Sequence, residues 1–395
     1  MIGKESAKRM DENKFSYEWI ETLPRLEEVA RILGQAKIIG VDLEADSLYH
    51  YFEKVCLIQI ATESASYVMD PLALRDLSAL HPVFSNPGIR KVFHGADYDI
   101  RSLFRDFRHE VENLFDTQLA CKFLGLRESG LEALLRSRFH VELNKKYQRA
   151  DWSKRPLSPE MVEYGATDGK YLIPLARILE KELEEKGRLS WVEEECLFLT
   201  KVRFTPPSHA PLYLKVKGAF LLDSRSLAVL EALLGFREAQ AKKADLPPFK
   251  VIGNEPLLKL AMKKPLRLEE LETGKALSRK QIDRYGTPLL QEIHWAMAIP
   301  DKDLPVYPRE ARPDLSSPVR KRVKALTTWR DMRAKTLEME PGILLNNAMI
   351  NDLALKNPRS VKEMEEIPGL KKWRQSHFGR EILAAQSKEH KVGTK

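Results

Sequence analysis

Two acidic side chains stand two residues apart at the end of an apolar run near the start of the chain. The run is Ile38-Ile-Gly-Val-Asp42-Leu-Glu44. Side chains alternate along a β-strand, so Asp42 and Glu44 lie on one face if this run is a strand. Adjacent like charges destabilise a strand, and a divalent cation bound by carboxylate oxygens is the usual compensation. A solvated acidic turn that continues to Asp46 explains the pair equally well.

A second acidic pair follows another predicted strand, in the segment Lys91-Val-Phe-His-Gly-Ala-Asp97-Tyr98-Asp99. Aspartate is favoured at helix N-termini as a cap and by the helix dipole, and Asp97 fits that structural role. Asp99 falls in the first helical turn, directly before the apolar Ile100. Asp99 is therefore a candidate to face a shared site, although an aspartate in the first turn also fits the structural role alone.

The third acidic position is Asp168, which follows Tyr164 by four residues in a helical pattern after Pro159. Residues four apart lie on the same face of a helix, so a phenol and a carboxylate stand one turn apart. Alone, this is a common arrangement on a helix surface. Its weight comes from its combination with the other acidic residues.

Asp42, Glu44, Asp99 and Asp168 form a set of four carboxylates from a strand end, a helix start and a later helix. Four carboxylates share a pocket only if cations neutralise them, and two divalent ions at roughly 3.5–4 Å separation meet this need. Such a metal pair catalyses in-line phosphoryl transfer. The sequence contains no glycine-rich GxxxxGK[ST] loop, which argues against an NTPase and predicts no nucleotide cofactor.

These motifs resemble those of the DEDD 3′→5′ exonucleases of ribonuclease H-like fold, tyrosine subtype. The three family motifs are DxE, an aromatic-Asp step and YxxxD, which match Asp42 to Glu44, Tyr98-Asp99 and Tyr164 to Asp168. Surrounding segments are similar to the ribonuclease D branch in particular, and the resemblance covers residues 38–175. Those segments include Cys56-Leu-Ile-Gln-Ile60, Leu114-Phe-Asp-Thr-Gln-Leu119 and Asp151-Trp-Ser-Lys-Arg-Pro-Leu157.

The resemblance implies a role for each matched residue. Asp42 would bridge two Mg²⁺ or Mn²⁺ ions, and Glu44 and Asp168 would complete the ion on the nucleophile side. Asp99 would serve the other ion, directly or through water. Tyr164 would orient the attacking water. Both Asp97 and Asp99 are acidic, and the spacing of the family motif favours Asp99.

Two proline-rich breaks, at 204–211 and 299–318, divide the chain into three segments. The first is predicted to be an α/β domain, because apolar β-type runs precede a helical pattern from about Asp97 onward. The later two have helical periodicity only. The predicted domains are a catalytic domain over 1–203 and two helical domains over 211–296 and 318–390. The predicted strands cover 37–43, 55–61, 67–69 and 91–94.

The two helical segments repeat each other at a constant offset of 93 residues. Phe236-Arg237 matches Trp329-Arg330, and Tyr285-Gly286 matches Phe378-Gly379. Both segments resemble the HRDC module, and two copies after an exonuclease are the ribonuclease D arrangement. The fold class implied is therefore an α/β ribonuclease H-like domain with a mixed sheet, followed by two all-α HRDC-like domains.

Charge is distributed unevenly over the 395 residues. The net charge of +8 divides into −6 for residues 1–200 and +14 for residues 201–395. A basic half suits a polyanionic partner, and Lys371-Lys-Trp373-Arg374 interleaves cations with an aromatic ring as RNA contacts require. The tryptophans at helical positions are more often core residues than contacts. The basic cluster Arg320-Lys-Arg322 with Lys324 is a further candidate for RNA contact.

Other features predict a cytoplasmic protein without a membrane segment. No run approaches the roughly 18 apolar residues of a membrane span, and residues 1–17 lack an apolar signal-peptide region. The three cysteines, Cys56, Cys121 and Cys196, are far apart and suggest a reducing compartment.

The function predicted on these grounds is a metal-dependent 3′→5′ exoribonuclease that releases nucleoside 5′-monophosphates. By resemblance, its partners would be RNA 3′ ends, chiefly those of transfer RNA precursors, and the protein would act as a monomer. One alternative is a DNA exonuclease of the same superfamily, because the carboxylates do not distinguish the sugars. The other is a catalytically inactive RNA-binding scaffold, against which the intact set of acidic residues argues.

Overall fold

The computed structural model describes residues 17–142, 145–206, 210–308 and 316–387, without the side chains of Lys145 and Asp168. Its sheet has six strands and mixes parallel with antiparallel pairs, as predicted. The strands are β1 (Glu18–Ile20), β2 (Ile38–Ala45), β3 (Val55–Ala61), β4 (Ser66–Met69), β5 (Arg90–Phe93) and β6 (Leu114–Asp116). Their order across the sheet is β1-β4-β3-β2-β5-β6.

Strand β2 lies near the centre of the sheet, antiparallel to β3 and parallel to β5. Its register places Asp42 opposite Gln59 and Glu44 opposite Leu57, with an irregularity between Glu44 and Ala45. Every residue of β3 is buried. The carboxylates of β2 therefore stand on a strand that the rest of the sheet holds from both sides.

Strands β1 and β6 are not among the predicted strands, and β6 interrupts the stretch that was predicted to be helical. Each has three residues. A segment of that length shows neither the alternation of a strand nor the period of a helix. Both lie at edges of the sheet, where pairing with a single parallel neighbour defines them.

Helices cover the sheet and continue through the second half of the chain. In the first segment they are α1 (Leu23–Leu33), α2 (Pro71–Leu74), α3 (His81–Ser85), α4 (Asp97–Phe107), α5 (Thr117–Leu124), α6 (Leu131–Phe139), α7 (Pro159–Lys170), α8 (Leu172–Glu185) and α9 (Leu189–Leu199). The later helices are α10 (Ser224–Ala244), α11 (Pro248–Val251), α12 (Asn254–Lys263), α13 (Leu268–Gly274), α14 (Arg279–Met297), α15 (Ser317–Thr336), α16 (Pro341–Leu344), α17 (Asn347–Lys356) and α18 (Lys372–Ser387). Short 3₁₀ turns occur at Ser78–Leu80, Lys145–Tyr147, Leu212–Lys215, Ala219–Leu221, Asp301–Asp303 and Lys362–Glu366.

Two compact units contain these elements. One comprises the described residues of 1–45, 55–204 and 315–395, and the other those of 46–54 and 205–314. In the described ranges, none of the helices has the length and apolar character needed to cross a membrane. The helical second half contains no strand among its described residues, in agreement with the all-α prediction.

Identical contacts in the two helical segments confirm the predicted repeat. Arg237 donates to the carbonyl of Ile252 and to the side chain of Asn254, at 3.2 and 2.6 Å. Arg330, 93 residues later, makes the equivalent bonds to Leu345 and Asn347, at 3.3 and 2.9 Å. Because the same bonds join corresponding helices 93 residues apart, the two segments are copies of one domain.

The second copy packs against α9 within its unit. The Trp191 and Trp373 rings stack with centroids 4.8 Å apart. Glu195 accepts from Trp373 Nε1 at 2.9 Å and from Arg374 Nη1 at 2.8 Å, and it also pairs with Lys371. The prediction of RNA contact is wrong for Trp373 and Arg374, which are buried against Glu195, whereas Lys372 is exposed and its contact with RNA stays a prediction. The expectation that tryptophan here is a core residue holds for Trp373.

Candidate active site

Strand β2 presents the first two acidic residues. Asp42 and Glu44 are both half-buried, whereas Gly40 and Val41 before them are buried. The strand is apolar until it leaves the core, and the two carboxylates mark that point. Pairing with β3 is regular from Gly40 to Glu44, so the two carboxylates lie on one face of the sheet.

The two aspartates at the start of α4 face different surroundings. The exposed carboxylate of Asp97 pairs with Arg101 through bonds of 2.7 and 3.0 Å. Asp99 is only 9% exposed. Asp97 therefore behaves as a helix-terminal surface residue, and Asp99 is the aspartate of this pair that turns inward.

A third aspartate, Asp116 at the end of β6, holds the turn that leads into α4. Its carboxylate accepts the backbone N–H groups of Gly95 and Ala96, each at 2.9 Å. It also caps α5 by accepting from Gln118 N at 2.9 Å. Gly95 has φ +78°, a conformation that glycine adopts readily. The Asp-Thr step before α5 is a capping signal in the sequence, but nothing in the sequence relates it to the turn that carries Asp99.

Helix α7, which carries Tyr164 and Asp168, packs on β2, β3 and β4. The approach is close because glycines face each other. A Cβ atom on Gly40 would lie 2.9 Å from the carbonyl oxygen of Gly169, and one on Gly165 would lie 2.8 Å from Gln59 Nε2. The glycines around Asp168 were present in the sequence, but their partner in β2 was not recognisable there.

Tyr164 is 9% exposed and belongs to an aromatic cluster. Its ring centroid lies 6.2 Å from that of Trp152 and 5.9 Å from that of Tyr147. The backbone of Asp168 lies in α7, one turn after Tyr164, and its side chain lies outside the described part of the structure. The Tyr-to-Asp helix predicted from the sequence is thus present, with its carboxylate untested.

An arginine fixes the segment that precedes α7. Arg155 binds both carboxylate oxygens of Asp70 at 2.7 Å and donates to the carbonyl of Cys56 at 2.8 Å. Asp70 in turn caps α2. A bidentate arginine–carboxylate pair has a defined orientation, so it holds the Trp152 segment on β3 and beside Tyr164.

The charges at the site favour bound cations. Burial raises the pKa of Asp42, although the backbone N–H of Leu43 opposes the shift. The pKa of Asp99 is raised well above its ordinary value by burial and by the negative charges of Asp42 and Asp116. Neighbouring carboxylates that resist ionisation suit a divalent cation, which would stabilise their charged forms.

Asp42 and Asp99 are thus brought within electrostatic reach of each other, with Asp116 beside Asp99. Among the side chains that the structure describes, no three His, Cys, Asp or Glu residues form a group able to hold a metal ion. Asp168, one of the four predicted ligands, is not among those side chains. The complete predicted set therefore stays a prediction.

Known family models match the first segment of the chain and each of the two helical segments. A family model described as 3′-5′ exonuclease matches residues 17–184. The HRDC domain model matches residues 226–293 and again residues 319–385. The second of these matches includes the segment that packs on α9.

Relatives match along most of the chain. Ribonuclease D of Acidiphilium cryptum is 30% identical over 369 residues, which cover 92% of this chain and 91% of that protein. Protein RRP6-like 3 of Arabidopsis thaliana is 46% identical over 171 residues, which cover 43% of this chain and only 19% of that protein. The crystal structure of Escherichia coli RNase D, described as an exoribonuclease involved in structured RNA processing, superposes with a TM-score of 0.71. That pair is 26% identical, with 95% and 99% of the two chains covered.

Proposed function

The chain belongs to the ribonuclease D family and is a 3′→5′ exoribonuclease, and we propose that it hydrolyses RNA with divalent metal ions bound at Asp42 and Asp99. The observation that carries the metal assignment is the approach of two carboxylates, because Asp42 on β2 and the buried Asp99 on α4 lie within electrostatic reach of each other, and burial together with this like charge raises the pKa of Asp99. A site that served only to stabilise the fold would pair such groups with cationic side chains. Here the strongest charges acting on Asp99 are themselves negative.

Asp42, Glu44, Asp99 and Asp168 would hold two ions, either Mg²⁺ or Mn²⁺. Bound there, the metal would lower the pKa of the attacking water and stabilise the leaving oxygen of the phosphodiester. Carboxylate oxygens are the ligands that these hard cations prefer. The β2 strand, the α4 turn and α7 each supply part of this set, so the site depends on the packing among them.

Tyr164 would orient the attacking water through its hydroxyl group. Its ring is held by Trp152 and Tyr147, which limits the positions the hydroxyl can take. Asp116 is a positioning residue, because it holds the backbone of Gly95 and Ala96 before the helix turn that carries Asp99.

The substrate would be the 3′ end of structured RNA, with transfer RNA precursors as the natural class and nucleoside 5′-monophosphates as products. The basic second half of the chain supports binding of a polyanion. The three cysteines are buried and form no disulfide bonds in the part of the chain that the structure describes, which fits a reducing compartment, and we assign the protein to the cytoplasm as a monomer.

Matched RNA and DNA oligonucleotides, each labelled at the 5′ end, test this proposal. The protein should shorten the RNA stepwise from its 3′ end with Mg²⁺ or Mn²⁺, and EDTA should stop the reaction. Undiminished RNA shortening in EDTA would refute the metal assignment. Shortening of DNA at the same rate would refute the preference for RNA.

A further inference from the structure

The domain duplication has reproduced a groove between the first and last helices of each helical copy. In the first copy the groove between α10 and α14 has a volume of about 720 Å³, and in the second copy that between α15 and α18 has about 630 Å³. Wall positions 93 residues apart correspond to each other. They include Ala232 and Ala325, Phe236 and Trp329, and Ala239 and Met332.

In the first copy, a peptide segment of the chain itself forms one wall of this groove. Pro211 and Tyr213 line it, and Glu231 on α10 accepts the backbone N–H groups of Leu212 and Tyr213 at 2.9 and 3.0 Å. Tyr213 is buried as a result. This groove therefore shows how the domain receives a peptide backbone beside an apolar floor.

The second copy lacks such a segment among its described residues. The positions equivalent to 211–213 are 304–306, where Pro305 lines the first groove and Val306 is 74% exposed. Met332, on the wall of the second groove, is 62% exposed. The apolar side of the second groove is therefore not covered by any segment in the part of the chain that the structure describes.

The side chains that line the second groove carry more positive charge than those that line the first. Lys324 stands where the first copy has Glu231, and Lys321 stands where it has Ala228. Glu292 of the first groove corresponds to Ala385. A peptide held by Glu231 offers its N–H groups, whereas two lysines attract carboxylates.

We propose that the second groove docks an extended acidic peptide from a partner protein. An apolar residue of that peptide would pack against Trp329 and Met332, and its carboxylates would pair with Lys321 and Lys324. The carboxylate of Glu381, which accepts the Trp329 indole N–H at 3.1 Å, lies in the same groove. The apolar side chains of Trp329 and Met332 and the peptide segment that lines the first groove favour a peptide with an apolar anchor over the continuous phosphates of RNA.

Fluorescence anisotropy with the full chain tests the proposal. The probe is a labelled peptide with the sequence of residues 210–214, Ala-Pro-Leu-Tyr-Leu, flanked by three glutamates on each side. We expect a dissociation constant of roughly 10–100 µM, and at least tenfold weaker binding when the flanks are lysines. The double variant K321E/K324E should bind the acidic probe at least tenfold more weakly than the wild type does.

Two further variants keep the result interpretable. Met332→Glu places a charge on the exposed apolar wall and should also reduce the affinity for the probe at least tenfold. Lys362→Glu makes a single Lys-to-Glu substitution at an exposed position of the same copy outside the groove, and it should leave binding within twofold. Unchanged melting temperatures would show that all variants are folded.

Other results would overturn the proposal or assign the groove to a different ligand. Absence of probe binding at 1 mM, or equal binding by the wild type and K321E/K324E, would overturn the proposal. A labelled single-stranded RNA that loses affinity with K321E/K324E and Met332→Glu, while the peptide binds neither form, would assign the groove to RNA. Stepwise RNA shortening by the wild type tests the proposed function separately from the groove.

Discussion

At the scale of single residues, the two aspartates that open α4 separate a surface role from a proposed catalytic one. They are two positions apart, yet Asp97 pairs with Arg101 in solvent while Asp99 is buried near Asp42. The sequence could favour Asp99 only through the resemblance to a family motif. The fold supplies the physical reason, because the α4 turn rotates one carboxylate outward and the other inward.

This difference gives a matched pair of substitutions. Asp99→Asn should lower kcat for RNA shortening by about 100-fold or more, because it removes a proposed metal ligand. Asp97→Asn removes the same charge from the same helix turn and should leave kcat within about twofold. Steady-state release of nucleotides at saturating Mg²⁺ measures both. Comparable losses in the two variants would contradict the assignment of Asp99.

The raised pKa values also predict how metal binding depends on pH. Metal binds the deprotonated carboxylates, so Mg²⁺ affinity should rise with pH through the value of about 7 to which burial raises the pKa of Asp42. Affinity should increase by up to about tenfold per pH unit for each proton released. Titration calorimetry in two buffers of different ionisation enthalpy would count those protons. A constant affinity between pH 6 and 8 would speak against this linkage.

At the scale of elements, the glycine contact between β2 and α7 determines how the acidic motifs meet. Gly40 and Gly169 are 129 positions apart in the sequence, so no local pattern relates them. The helix of Tyr164 and Asp168 was predictable from its four-residue spacing. Its position against the strand of Asp42 was not, because that depends on a close backbone approach across the fold.

Gly40→Ala should therefore impair the site through packing alone. The added methyl group meets a backbone oxygen at 2.9 Å, so α7 must move or the strand must shift. We expect unfolding free energy to fall by roughly 1–3 kcal/mol and kcat to fall in the surviving folded protein. Gly235→Ala, inside α10 with open space around it, should instead stabilise by about 0.5–1 kcal/mol. Denaturant unfolding measures both values. An unchanged free energy of unfolding for Gly40→Ala would show that the contact between β2 and α7 accommodates a methyl group.

At the scale of the whole chain, the sequence indicated a catalytic segment and a duplicated helical domain, and both are present. What it could not indicate is that the second copy packs with the catalytic segment in one unit. The Lys371 to Arg374 cluster has the composition of an RNA contact, and only the fold reveals Glu195 beneath it. Charge patterns along a sequence do not show which charges are neutralised internally.

The Glu195 interface predicts a measurable stability difference. Burial raises the pKa of Glu195, but Arg374 and Lys371 outweigh this effect and the net pKa is lowered. Its stabilisation is therefore present above the ordinary glutamate range and is lost as pH falls through the lowered value. Glu195→Gln leaves two largely buried cations unpaired and should cost roughly 3 kcal/mol at pH 7.

An exposed ion pair within the same unit supplies the control. Glu338 pairs with Lys186 at 3.5 Å and its side chain is 79% exposed. Glu338→Gln should change unfolding free energy by less than about 0.5 kcal/mol. Equal effects of the two substitutions in urea would mean that the buried network contributes no more than a surface pair.

The most direct test of the metal-dependent mechanism is the Asp42→Asn protein assayed for both RNA binding and nucleotide release. RNA affinity should stay within about threefold of the wild type, because the substitution leaves the basic half of the chain unchanged. Nucleotide release with saturating Mg²⁺ should fall by about 1000-fold or more, because the substitution removes the ligand that the two proposed ions would share. Release at the wild-type rate would contradict the account.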